Sequence, residues 1–238
     1  MKVIQGLKLV VFDMAGTTVT DNHEVEACFT RAAQQTGLKM TDEEILAVQG
    51  WGKRHVFETF WERQTGQRNQ QWAEQVDYSY TVFREILEDH YQANEITPTK
   101  GCLELFSFLK DQGIAIALTT GFYRKVADII LGKLGWVEQG IIDLSITSDE
   151  VAHGRPEPDM IRKAMQMLNV NDRKAVINIG DTPSDIQSGK NAGVLCSCCV
   201  TNGTHSAAQL APFGPDHAFS SLHEMKSWLE NNLVKEQA

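Results

Sequence analysis

Residues 7–12 (LKLVVF) form a short apolar run rich in β-branched side chains, stopped by Asp13 and Gly16. A run of this length bounded by turn residues predicts a buried strand that ends in a loop. The segment MKVIQGLKLVVFDMAG has no small-residue cleavage site before Asp13 and is therefore expected to be strand rather than leader. From about Asn22 to Asn94 the pattern changes. HEVEACFTRAAQQTG, TDEEILAVQ, KRHVFETFWERQTG and NQQWAEQVDYSYTVFREILEDHYQ all read as helices. Thr41 and Glu44 have the spacing of a capping box. After Pro98 and Gly101, strands and helices alternate. The pattern predicts helices over about 101–112, 123–134 and 157–168, with strands at 114–120, near 142–147, at 175–180 and at 194–200. SDIQSGKNAG and SLHEMKSWLENNL are predicted helices.

Alternation of strand and helix implies α/β architecture with a mostly parallel, doubly wound sheet. The helical block inserted after the first strand is expected to be a second domain. Residues 1–20 and 98–238 would then form the core, and residues 21–97 a cap over the carboxyl edge of the sheet, where sites in such folds lie. The long aromatic helix (Trp72, Tyr78, Tyr80, Phe83, Tyr91) is read as cap core, with a dimer face as the other role.

Composition narrows the class. The chain has 238 residues, of which 42% are hydrophobic and 22% charged, which excludes a disordered or fibrous protein. No apolar run approaches the roughly 20 residues of a membrane span. The net charge is −9, and residues 21–97, with 14 acidic and 7 basic side chains, carry −7 of it. A nucleic-acid footprint would need a basic face. Five cysteines (Cys28, Cys102, Cys196, Cys198, Cys199) have neither disulfide-framework nor zinc spacing, so reduced thiols in a cytoplasm are expected. On a strand, Cys196 and Cys198 would share one face and Cys199 the other. SGKN lacks P-loop spacing, no dinucleotide fingerprint is present, and Asn202-Gly203-Thr204 matches a glycosylation sequon without an export signal.

Chemistry-bearing residues collect at the predicted strand ends or in the loops just after them: Asp13 with Ala15-Gly16-Thr17-Thr18, Thr119-Thr120-Gly121, Gly154-Arg155-Pro156, and Gly180-Asp181-Thr182-Pro183-Ser184-Asp185. Each has an ordinary structural reading alone. Asp13 can be a turn residue, Asp181 and Asp185 helix caps, Arg155 a surface arginine and Thr120 a strand end. Their joint placement points to one crevice. Three carboxylates there repel one another unless a cation sits among them, and hard oxygen ligands point to Mg²⁺. Threonine hydroxyls, glycine turns and a guanidinium suit a phosphoryl group. A carboxylate can also serve as nucleophile, forming an aspartyl-phosphate.

VVFDMAGTTV, LTTG, the arginine of HGRPEPDM and INIGDTPSD resemble the four ordered motifs of the haloacid dehalogenase superfamily, over nearly the whole chain. The resemblance implies Asp13 as nucleophile, Thr17, Thr120 and Gly121 around the phosphoryl group, and Arg155 as the cationic residue of the third motif. It implies Mg²⁺ held by Asp13, the Ala15 carbonyl and Asp181, with Asp185 acting through a water.

Most phosphatases of this superfamily carry a second aspartate two residues after the nucleophile, to protonate the leaving alkoxide. Here that position is Ala15. Loss of such help typically costs about 10²–10⁴-fold. A carbonyl substrate avoids the need, because a lysine imine can act as electron sink when a P–C bond breaks. The phosphonoacetaldehyde hydrolase branch is similar in its Asp-x-Ala-Gly-Thr-Thr core and in a Gly-x-x-Lys cap segment, here Gly50-Trp51-Gly52-Lys53. That likeness implies Lys53 as the imine former; charge-based phosphate binding and a solvated surface role are its other readings. His55 is expected either as a proton shuttle facing substrate or as a plain cap-helix histidine. The chain differs from that branch at Met14, Gln49 and Phe122, near the expected substrate.

The leading expectation is Mg²⁺-dependent P–C hydrolysis of a small phosphonate by a monomer or homodimer, without nucleic-acid or membrane partners. Its rivals are a phosphatase of a small phosphate ester, and a catalytically retired protein that binds a phosphorylated ligand.

Overall fold

The computed structural model describes residues 4–234. Met1–Val3, at the head of the segment expected to be strand, and the last four residues of the expected core lie outside them. A six-stranded, all-parallel sheet has the order β3-β2-β1-β4-β5-β6. Its strands are β1 (Leu9–Asp13), β2 (Ala115–Thr120), β3 (Leu144–Thr147), β4 (Val176–Gly180), β5 (Cys196–Val200) and β6 (His217–Phe219). Alternate residues of β1 face opposite layers, as the period of two requires. Leu9 and Val11 pack with Met160, Ile161 and Ala164 of α7 (Asp159–Met167). Val10 and Phe12 join the larger cluster on the other face, where Phe12 meets Phe106 edge-on. Burial on both faces explains why β1 is apolar throughout instead of alternating.

Four helices follow β1: α1 (Glu24–Thr36), α2 (Asp42–Ala47), α3 (Lys53–Thr65) and α4 (Gln70–Ala93). The Thr41–Glu44 capping box opens α2 as its spacing requires. Phe29, Phe57 and Phe83 form the centre of this insertion, with ring centroids 4.3–5.6 Å apart. On α4, Phe83 and Tyr91 are buried, Trp72 and Tyr80 half-buried and Tyr78 exposed. The remaining helices, α5 (Cys102–Asp111), α6 (Arg124–Leu134), α7, α8 (Pro183–Ala192), α9 (Ala207–Leu210) and α10 (Leu222–Asn232), flank or edge the sheet. β6 and α9, of three and four residues, are too short for any periodicity to announce them.

No disulfide forms among the described residues. Cys196 and Cys198 pack into one apolar cluster and Cys199 into another, on opposite faces of β5. Among the described residues no helix is long and apolar enough to cross a membrane.

β1 lies between β2 and β4, so the order in which strands are added switches sides there, and a crevice opens beyond the carboxyl ends of these strands. Asp13 ends β1, Thr120 ends β2, and Asp181 follows β4 directly.

Candidate active site

The turn after β1 is closed by Gly16 N–H to Val19 O and by Thr18 Oγ1 donating to Asp13 O at 2.9 Å. This fixes the Asp13 side chain at the strand tip. Asp13, Asp181 and Asp185 are all buried, and one carboxylate oxygen from each lies within 4.8 Å of the others.

Protein groups hold each carboxylate in place. Arg155 Nη1 donates to Asp13 Oδ1 at 2.5 Å and lies 2.9 Å from Asp185 Oδ1, while its Nη2 donates to Thr119 O and Oγ1. Asp181 accepts from Thr17 Oγ1 at 3.2 Å and from Thr204 N–H at 2.6 Å. Asp185 does two jobs. Its Oδ2 closes a capping box with Thr182 at the start of α8, and its Oδ1 faces Arg155.

One guanidinium does not satisfy three buried carboxylates. Burial, with the neighbouring charges of Asp185 and Asp181 and against the pull of Arg155, holds the Asp13 carboxyl up at about 8. Burial and Asp185 hold Asp181 up at about 6. A hard cation would relieve this strain, so the donor set fits a divalent metal held by carboxylate oxygens.

Lys53 begins α3 and is buried beside the carboxylates. Its Nζ lies 5.4 Å from the ring centre of Phe29 and 5.2 Å from that of Phe122, and it makes no ion pair among the described residues. Burial pushes the ammonium down to about 8, against the attraction of Asp13 and Asp21. Placement of a cation at a helix N-terminus adds to the cost of its charge.

Lys53 reaches this position because glycines let two loops touch. A methyl on Gly50 would lie 2.4 Å from Ser184 Oγ and 2.5 Å from Thr182 Oγ1. Ser184 Oγ also reaches Gln49 O at 3.4 Å. The Gly50–Lys53 segment thus rests on the core turns and carries the amine over the strand tips.

A cavity of about 20 Å³ lies between them, lined by Asp13, Ala15, Asp21, Lys53, Thr120 and Thr204, with Gly50 and Gly121 among the others. That is room for about one water. A phosphoryl group enters only if the surrounding loops part. A wider groove of about 590 Å³ lies on the far side of Lys53 and Arg155.

His55, read either as a proton shuttle or as a plain cap-helix histidine, does not line the small cavity. It is exposed in the outer groove, with its ring stacked on Trp51 at 5.5 Å and Nδ1 3.6 Å from Glu58. Two residues beyond Lys53 is about 200° around a helix, which turns His55 away. Asp21 and Thr204 line the cavity, yet sequence reasoning passed over both. Asp21 read only as the edge of the helical block, and Thr204 only as the end of a sequon.

A family model described as haloacid dehalogenase-like hydrolase matches residues 7–193. The chain belongs to the haloacid dehalogenase-like hydrolases. It is 33% identical over 201 residues to a phosphonoacetaldehyde hydrolase of Bacillus cereus (strain AH187), covering 79% of this chain and 74% of that one. It is 30% identical over 203 residues, with the same coverage, to the phosphonoacetaldehyde hydrolase of Latilactobacillus sakei subsp. sakei (strain 23K). These relatives place this haloacid dehalogenase-like hydrolase in the branch similar to phosphonoacetaldehyde hydrolase. The fold matches that of a phosphonoacetaldehyde hydrolase-like protein from Oleispira antarctica, with a TM-score of 0.79 and 19% identity over 97% of this chain and 94% of that one. It also matches a hydrolase from Pseudomonas syringae, with a TM-score of 0.78 and 17% identity over 95% and 100% of the two chains.

Proposed function

We propose that this haloacid dehalogenase-like hydrolase cleaves the P–C bond of phosphonoacetaldehyde or a related carbonyl phosphonate, with Asp13 as nucleophile and Lys53 as imine former. One observation carries this reading: among the described residues the only lysine on the small cavity is Lys53, a buried amine packed between Phe29 and Phe122, beside Asp13. An amine near 8 is neutral often enough at physiological pH to attack an aldehyde.

In this reading Lys53 Nζ adds to the carbonyl and water departs, leaving an imine. Asp13 attacks phosphorus, and the electrons of the breaking P–C bond move into the imine to give an enamine. Protonation and hydrolysis then release acetaldehyde and free Lys53. Water cleaves the phospho-Asp13 acyl phosphate to phosphate and free Asp13. Arg155 orients Asp13, and Thr120 and the loop amides after β1 and β2 surround the phosphoryl oxygens. Asp13, Asp181 and the Ala15 carbonyl, with Asp185 beside them, would hold Mg²⁺, which supplies positive charge to the phosphoryl oxygens when bound. Exclusion of water from the imine suits an insertion that closes over the core, a role we assign to residues 21–97.

The test is phosphate release from phosphonoacetaldehyde with Mg²⁺, followed by borohydride trapping. Release, with a covalent adduct on Lys53, is the expected result. Release without an adduct overturns the imine. No release from folded, Mg²⁺-loaded protein overturns the substrate and favours a small phosphate ester, for which the presence of Asp21 in the cavity is the supporting observation.

A further inference from the structure

The reaction proposed above moves a proton twice, and Ala15 has none to give. The atom that leaves phosphorus must gain a proton, and the water that attacks phospho-Asp13 must lose one. Among the residues lining the small cavity, the carboxyl and amino groups are those of Asp13, Asp21 and Lys53. Asp13 is committed to phosphorus and Lys53 to the carbonyl. Asp21 is the remaining acid, and it borders the same cavity as the Ala15 methyl.

We propose that Asp21 is the acid–base residue of both half-reactions, standing in for the carboxyl that Ala15 lacks. The inference rests on the Asp13 phosphoenzyme reading, and it holds whether carbon or oxygen leaves phosphorus.

Asp21 is built for proton exchange. It is half-buried, and its Oδ1 accepts the Glu24 N–H at 2.8 Å. Its carboxyl also shares a hydrogen bond with the Glu24 carboxyl. Glu24 is half-buried as well, is held by Asn22 N–H and by Asn22 Nδ2 at 3.1 Å, and leads to solvent. Two carboxyls that share a hydrogen bond hold one proton between them. Burial, then the hydrogen bond and charge of Glu24, hold Asp21 up at about 8. Against the upward push of burial, hydrogen bonds from Asp21, its own backbone and Asn22 hold Glu24 down at about 2. The other titratable groups within electrostatic reach of Asp21 are Asp181 beyond β4, Lys53 on α3, Cys28 on α1 and Tyr91 on α4. The pair therefore binds a proton more readily at Asp21, which borders the cavity, than at Glu24.

The steps balance. In the first, the Asp13–phosphorus bond forms and the bond to the leaving atom breaks; the Asp21 proton passes to a leaving oxygen as it departs, or to the enamine carbon after P–C cleavage, leaving Asp21 as carboxylate. In the second, water oxygen bonds to phosphorus and the Asp13–phosphorus bond breaks. One water proton returns to Asp21, and Asp13 departs as carboxylate. The cavity has the volume of the one water this step consumes.

Acetyl phosphate separates the two steps, because acetate leaves without a proton. With Mg²⁺ and rapid quenching, Asp21→Asn should form phosphoenzyme at the wild-type rate, seen as added intact mass. It should then release phosphate about 100-fold or more slowly, so the phosphoenzyme accumulates. With phosphonoacetaldehyde, where the imine takes the electrons of the breaking bond, the same variant should likewise load and then release phosphate slowly, whereas with a phosphate ester of a poor leaving group it should also form phosphoenzyme slowly. Release within threefold of wild type, without accumulation, would overturn the proposal and leave Asp21 as a cap of α1. Wild-type protein that never forms phosphoenzyme, or Asp13→Asn that still does, would instead sink the reading beneath it. Glu24→Gln gives an independent check should Asp21→Asn fail to load. Removal of the Glu24 charge should move the acid limb of phosphoenzyme hydrolysis to lower pH, and an unmoved limb would overturn the proposal.

Discussion

Gly121, just beyond β2, lies directly under Trp51 of the insertion: a methyl on Gly121 would stand 2.4 Å from Trp51 O and 2.8 Å from Gly50 O. Backbone meets backbone at this point, so nothing flexible can give way. The contact holds the Gly50–Lys53 segment against the strand tips and thereby delivers Lys53. Gly121→Ala should push the insertion outward and lower kcat/KM by about tenfold or more. The loss in stability should be about 1–3 kcal/mol, the usual range for overpacking. Steady-state kinetics and a thermal melt on the same preparation would check both, and unchanged kinetics would mean that closure does not depend on this contact.

Lys53→Arg keeps the charge but cannot form an imine. It should reduce turnover of phosphonoacetaldehyde by at least about 10³-fold and give no borohydride adduct. Lys53→Met should be equally inactive yet melt at or above the wild-type temperature, because it removes a buried ammonium from between Phe29 and Phe122. A melt well below wild type would show that the charge stabilises the fold.

The carboxylate cluster predicts a pH-dependent stability whose sign follows from linkage. Asp13 and Asp181 both bind protons more tightly in the folded protein than in the unfolded chain. The stability they contribute is fully present below about 3.8, the unfolded value, and is lost as pH rises toward about 8. Metal-free protein should therefore become less stable from pH 5 to pH 8. Mg²⁺ favours the ionised carboxylates, so it should raise the Tm more at pH 8 than at pH 5. Melts in chelator and in excess Mg²⁺ at the two pH values decide this.

Asp181→Asn should remove most of that Mg²⁺-dependent rise in Tm and lower turnover by about 10²-fold or more. Asp13→Asn should abolish phosphoenzyme altogether. Asp181 packs at its fixed place through Thr17 and Thr204, and the amide can keep the Thr17 bond. A folded but Mg²⁺-insensitive protein is the outcome that fits, whereas an Asp181→Asn variant with full Mg²⁺ response would place the cation elsewhere.

Ala15→Asp restores the acid common among related phosphatases. It should not raise phosphonoacetaldehyde turnover, because in the proposed route the imine takes the electrons of the breaking bond. Ala15 lines the small cavity, so the added carboxylate would also crowd Asp13. A gain in rate would show that proton supply limits the reaction.

Much of the scaffold was legible in one sequence. Burial of β1 on both faces writes an uninterrupted apolar run, and the helices of the insertion write their own period and caps, so local physics alone announced them. Asp13, Thr120 and Asp181 stood out because each ends or directly follows a strand in an α/β alternation, with Arg155 in the loop after β3, and parallel strands deliver their carboxyl ends to one edge. The sequence determined which chemical groups gather at the switch point. What only the tertiary structure decided is how they face one another. The turn of α3 separates Lys53 from His55. A backbone contact at Gly121 seats the amine between two aromatic rings, and Arg155 is shared between Asp13 and Asp185. Asp21 enters the cavity from a stretch with no periodicity to mark it. These are through-space relations between residues up to 142 positions apart. Spacing along a chain carries no distance between elements that meet only when the insertion folds over the sheet.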